Sequence, residues 1–179
     1  MGQSPWHPKR LIDVGIAETC SPMLRIITRD KINDKEDYVT LSHCWGKADF
    51  LQLTSDNLSD LENGFEEKSL PLTFQDTIYV VRQLGKRYLW IDSLCVIQKG
   101  DRGLDWTHQA PLMHEIYSRS ICTISAVAAV DSSNILFSPR IPGSHHRTEL
   151  DLHIDGIDSS QHTPKWTLSD VKLMWGEEL

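Results

Sequence analysis

The sequence predicts an α/β fold: an open, mainly parallel sheet with flanking helices, plus an N-terminal strand pair and an irregular C-terminal tail. Two short apolar runs, Tyr38-Val39-Thr40-Leu41 and Tyr88-Leu89-Trp90-Ile91, end abruptly in polar residues, as buried strands do when they deliver side chains to a site. Between them, Phe74, Ile78, Val81 and Leu84 recur at helical spacing. A third apolar run, Ile121-Cys122-Thr123-Ile124-Ser125-Ala126-Val127, follows a second helical stretch and completes the order β-α-β-α-β.

Taken in chain order, Arg10-Leu11-Ile12-Asp13-Val14 and Leu24-Arg25-Ile26-Ile27-Thr28 are strand-like runs that suit a hairpin or an edge. The charged, turn-rich residues 29–37 are expected to separate this pair from the main sheet. After the first core strand, Leu58-Ser59-Asp60-Leu61 gives a turn or two of helix. The next helix is predicted with Thr73 as its cap and Gly85 as its stop. The order strand, helix, strand across Tyr38 to Gln98 is that of a βαβ unit, so its two strands should be parallel and its crossover right-handed. The second helical stretch spans Asp105 to Tyr117, with Trp106, Met113, Ile116 and Tyr117 on one side. Pro111 interrupts it, so the regular helix is expected to start there, where a missing amide hydrogen costs nothing. Leu150-Asp151-Leu152-His153-Ile154 alternates like a strand, and residues 166–175 suit a short helix. The expected organisation is residues 1–37 as strand pair and linker, 38–140 as the α/β core and 141–179 as a short tail.

At 179 residues with 40% apolar composition, the chain has a core to bury, and disorder over most of its length is excluded. A net charge of −7 argues against a nonspecific hold on nucleic acid, which needs clustered Lys and Arg. No apolar run is long enough to span a membrane. The cysteines, Cys20, Cys44, Cys95 and Cys122, lie far apart without a paired spacing, and no secretory leader opens the chain, so a reduced, cytoplasmic protein is expected. No metal site is expected, because only His43-Cys44 and His145-His146 are adjacent and zinc wants about four ligands.

In an open parallel sheet, ligands bind beyond the carboxyl ends of the strands. That places Ser42, His43, Cys44, Trp45 and Gly46 at one strand end and Asp92, Ser93 and Cys95 at the other, facing one crevice. Asp92 is the first candidate. A carboxylate directly after Leu89-Trp90-Ile91 needs a partner or a ligand to offset its desolvation, and anchoring the next loop would serve equally well. His43 suits proton transfer near neutral pH, or a plain backbone hydrogen bond. Cys44 and Cys95 are nucleophiles only if a base or a charge lowers their pKa, and otherwise act as small buried hydrophobes. Gly-rich phosphate loops and the Gly-x-Ser-x-Gly elbow are absent from the sequence.

These motifs together resemble the fungal heterokaryon incompatibility (HET) domain. The resemblance rests on Tyr38-Val39-Thr40-Leu41-Ser42-His43-Cys44-Trp45-Gly46 and on Leu70-Pro71-Leu72-Thr73-Phe74-Gln75-Asp76-Thr77-Ile78. It rests further on Leu84 through Gln98, on Asp105-Trp106 and on Met113 with Ile116-Tyr117, and it covers about residues 9 to 140. It implies a TIR-like, flavodoxin-like sheet and a role in fungal nonself recognition and programmed cell death, an innate-immunity function. The implied partners are a second copy of the chain or another incompatibility protein.

Through the TIR relation it also implies NAD as a substrate, cleaved at the nicotinamide-ribose bond, with no cofactor certain. Asp92, His43 and Ser42 would then line the crevice, with Glu115 as a reserve acid. HET domains commonly carry a glutamate three residues after the Asp-Trp pair, where this chain has Gln109, and a register through Asp131-Ser132-Ser133 supplies none either. The family often continues past a longer tail than Lys165-Trp166-Thr167-Leu168-Ser169-Asp170, which suggests a shortened gene product. An interaction module, an NAD-cleaving enzyme, a Cys95-His43 hydrolase and an inactive degenerate copy are the resulting expectations.

Overall fold

The computed structural model describes residues 6–16, 22–33, 35–46 and 49–126. The chain divides into two compact units, residues 1–138 and 139–179, and all the described residues belong to the first. Cys20, Val127 and the expected tail elements, with His145 and His146, lie outside the described residues.

Strand-forming residues appear where apolar side chains alternate or cluster: β1 is Arg10–Asp13, β2 Met23–Thr28, β3 Tyr38–Ser42, β4 Phe65–Glu66, β5 Tyr88–Trp90 and β6 Cys122–Ser125. They form one sheet in the order β4-β2-β1-β5-β3-β6. The predicted βαβ unit is present, with β3 and β5 parallel and Tyr38 opposite Tyr88, and β6 joins the other side of β3 in parallel, with Val39 opposite Cys122.

The sheet as a whole is mixed rather than mainly parallel. β1 runs antiparallel to both β2 and β5, and β2 runs antiparallel to β4. Residues 29–37 therefore do not set the strand pair apart from the sheet. The edge of β5 opposite β3 needs hydrogen-bond partners, and β1, which is buried at all four positions, provides them.

Among the helices, α1 is Leu58–Asn63, α2 Leu72–Gln83, α3 Asp92–Cys95, α4 Leu104–Gln109 and α5 Met113–Arg119. Helix α2 buries Phe74, Ile78 and Val81, the stripe its period requires. Thr73 is not its cap. The helix starts two residues earlier than that cap implies, at Leu72 after the capping Pro71, whose carbonyl accepts from the Phe74 and Gln75 amides and whose ring fixes φ at the entry. Gly85 ends it as expected, at φ 65°, with Gly85 N donating to Arg82 O and Lys86 N to Val81 O, the paired bonds of a Schellman turn.

Pro111 does not mark the start of the second helical stretch but its kink. Helix α4 precedes it, residues Ala110–Leu112 tighten into a 3₁₀ turn, and α5 follows. Trp106 is on the outside, 43% exposed, while Asp105 and Gln109 are buried. Counting back from buried Ile116 in steps of three or four reaches Met113, Gln109 and Asp105, so the inner face of this stretch is polar at one end.

Candidate functional site

Strand β3 lies between β5 and β6, so the crossover from β3 to β5 and the one from β5 to β6 run in opposite directions along the sheet. In open α/β sheets that reversal opens a crevice beyond the carboxyl ends of the strands. His43 leaves β3 at this place, and Asp92 follows β5 as the first residue of α3.

The two segments meet through side chains. The Trp45 indole N–H donates to Asp92 Oδ2 at 2.9 Å, and the Ser93 amide donates to Asp92 Oδ1 at 2.7 Å. His43 Nδ1 stands 3.9 Å from Asp92 Oδ1, too far for a hydrogen bond but close enough for the charges to feel one another. Stacked over Trp45 at 6.5 Å, the His43 ring also meets Phe74 edge-on at 4.8 Å. Only 2% of the His43 side chain is exposed, against 22% for Asp92. Burial pushes the imidazole below its ordinary value, and the Asp92 carboxylate opposes that only in part, so His43 is neutral at pH 7.

Two buried polar atoms here, His43 Nε2 and Ser93 Oγ, have no hydrogen-bond partner among the described residues. Such atoms are uncommon in folded proteins and mark places where a polar group can be received. The arrangement offers a partly exposed carboxylate with spare lone pairs, a neutral imidazole and a hydroxyl beside an aromatic wall.

Backbone hydrogen bonds hold the crevice together. Leu53 N donates to Ser93 O, Gln98 N to Leu53 O and Ser55 N to Lys99 O, binding the loop after the first motif to the segment after the second. The Gln98 side chain closes this segment by donating to Asp92 O and Val96 O.

The remaining predicted site residues are placed as follows. Ser42 is exposed at the end of β3, where its carbonyl accepts from Ala126 N. Cys44 is exposed, and Gly46 takes φ 62°, a conformation glycine adopts without strain. Cys95 is turned into the core, and burial pushes its thiol up to about 12, so no thiolate is available at neutral pH. The structure does not bring Glu115 to the crevice. It lies on α5 and accepts from Arg119 Nε, whose guanidinium also sits 5.5 Å over the Trp6 ring.

Asp105 is a buried carboxylate that the sequence reading passed over. Its oxygens accept from Lys9 Nζ at 2.6 Å, Arg10 Nη1 at 2.7 Å and the Ile97 amide at 2.9 Å, with Arg10 also donating to Cys95 O. It ties α4 and β1 to the chain just beyond α3. The signal was present in the sequence: the polar residues Asp105 and Gln109 fall in the same helical phase as Ile116, so a charge there had to be paired. Among the described residues, no three His, Cys, Asp or Glu side chains converge on a metal position. No described helix is long and apolar enough to cross a membrane.

The family model described as heterokaryon incompatibility protein (HET) matches residues 38–175, which takes in β3, both crossovers, β6 and every residue of the crevice. No curated protein and no solved structure matches the chain.

Proposed function

The chain belongs to the heterokaryon incompatibility (HET) family, and from that premise we propose that it acts in fungal nonself recognition as an oligomerising interaction module that signals death of the fused cell. Its partner is a second copy or another incompatibility protein. What supports a binding role over catalysis is that each carboxylate considered serves a structural contact, Asp92 with lone pairs to spare. Asp92 is held by Trp45 and Ser93, Glu115 by Arg119, and Asp105 by Lys9, Arg10 and Ile97. With Asp92 fixed in this way, the Ser42 to Gly46 loop is presented on a rigid base, as a recognition surface requires.

Expression of the chain in a fungal cell should arrest growth, and the purified protein should grow in mass with concentration in light scattering. A protein that stays monomeric at all concentrations and is harmless to the cell would defeat this reading.

A second reading is favoured by the unpartnered atoms beside Asp92: a TIR-like NAD nucleosidase. The ribosyl C–N bond would break with its electron pair leaving on nicotinamide, the Asp92 carboxylate would stabilise the ribosyl cation, and water would add with loss of a proton. His43 and Ser93 could receive the substrate's polar groups. Nicotinamide release by the purified chain, abolished in a folded Asp92→Ala variant, would establish it. No release under assembling conditions would reject it.

A further inference from the structure

A hollow of about 910 Å³ opens between the N-terminal segment, the turn after β2 and the kink joining α4 to α5. It shares no residue with the crevice of His43, Trp45 and Asp92, and its volume lies within the usual range for small-molecule sites, about 300–1,000 Å³. We propose that it binds a small organic anion, a carboxylate or phosphate carried on an apolar ring.

The chemistry of the lining selects this class. Two cations, Lys9 and Arg29, face one carboxylate, Asp30. Arg29 is exposed, its guanidinium 5.8 Å over the Trp6 ring, and among the described residues it pairs with no carboxylate, so its charge is available to a ligand. Lys9 shares the single charge of Asp105 with Arg10, which leaves that corner with one positive charge in excess. Asp30 balances Arg29 in the sum, so the net excess at the hollow is the one positive charge that Lys9, Arg10 and Asp105 leave between them.

Gln109 lines the hollow as well. The residue is 7% exposed, and its side-chain amide, with two N–H donors, suits an anionic oxygen. Trp6, Ile32 and Leu112 give the apolar wall that would hold a ring.

The test is calorimetric titration of the full chain with benzoate, phenyl phosphate and inorganic phosphate. Saturable binding of a ring-bearing anion is expected, tighter than that of inorganic phosphate and about tenfold weaker in Arg29→Gln. Gln109→Leu should weaken it too, while Lys68→Gln, a distant cation 80% exposed at its side chain, should leave it unchanged. Benzoate alone would assign a carboxylate ligand, and phenyl phosphate alone a phosphate. The proposal is overturned by no saturable binding of either ring-bearing probe at millimolar concentration. It is equally overturned by binding that Arg29→Gln and Gln109→Leu leave intact, or by inorganic phosphate binding as tightly as phenyl phosphate. A thermal melt checks that both variants fold.

Discussion

Asp105 shows how a single buried charge organises its surroundings. Removing it in Asp105→Ala leaves Arg10, 4% exposed, without its counter-charge, and the expected cost is about 3–5 kcal/mol in a urea melt. Burial alone would raise the Asp105 pKa, yet hydrogen bonds from Arg10, Ile97 and Lys9 take it below the ordinary carboxylate value. The unfolded chain therefore binds the proton more readily, and the stabilisation, complete above about pH 4, is lost as pH falls through the lower folded value. The acid limb of stability should accordingly be shallower in the variant. His43 contributes at a higher pH, because burial depresses its folded pKa. Unfolding then takes up a proton below about pH 6.5, and stability declines from there as the solution is acidified. His43→Gln should flatten that part of the profile. Both residues stand in motifs visible in the sequence, but only His43 was legible as a candidate. Asp105 was obscured because Trp106 beside it looks like the core residue, although the helical phase that buries Ile116, Gln109 and Asp105 leaves that indole outside.

For single elements, the period of apolar residues was a sound guide wherever one face is buried throughout. Helix α2 obeys it from Phe74 to Val81, and its Gly85 stop was readable because few other residues take a positive φ without strain. A Cβ at Gly85 would meet nothing within 4 Å, so Gly85→Ala isolates the backbone cost. It should destabilise by about 1 kcal/mol, seen as a melting temperature lower by about 2–4 °C. The start of α2 was misread because capping preference favours Thr73, whereas Pro71 sets the entry angle by its ring and wins. α3 was not expected at all: four residues are too few for any period to show.

Across the whole molecule, the parallel sense of β3, β5 and β6 was legible because each crossover carries its own helix signal, while their order across the sheet was not. In the antiparallel half the β1–β2 pairing was legible, but its place beside β5 was not, since a short strand's sequence does not say which edge it will join. The consequence for stability is large. A chain lacking residues 1–37 would keep β3 to β6, which lie within the matched residues, yet lose β1, whose Leu11 and Ile12 are fully buried beside β5. It should lack a cooperative thermal transition and the native far-ultraviolet circular dichroism. That position of β1 also reaches into synthesis. The β1–β2 hairpin is complete at Thr28, but the strand that covers its inner edge ends at Trp90, 62 residues later by subtraction. At about 5–20 residues per second, the ribosome exposes that apolar edge for roughly 3–12 s before β5 exists to pair with it. For that interval the nascent chain must either be shielded or find an unintended strand to join.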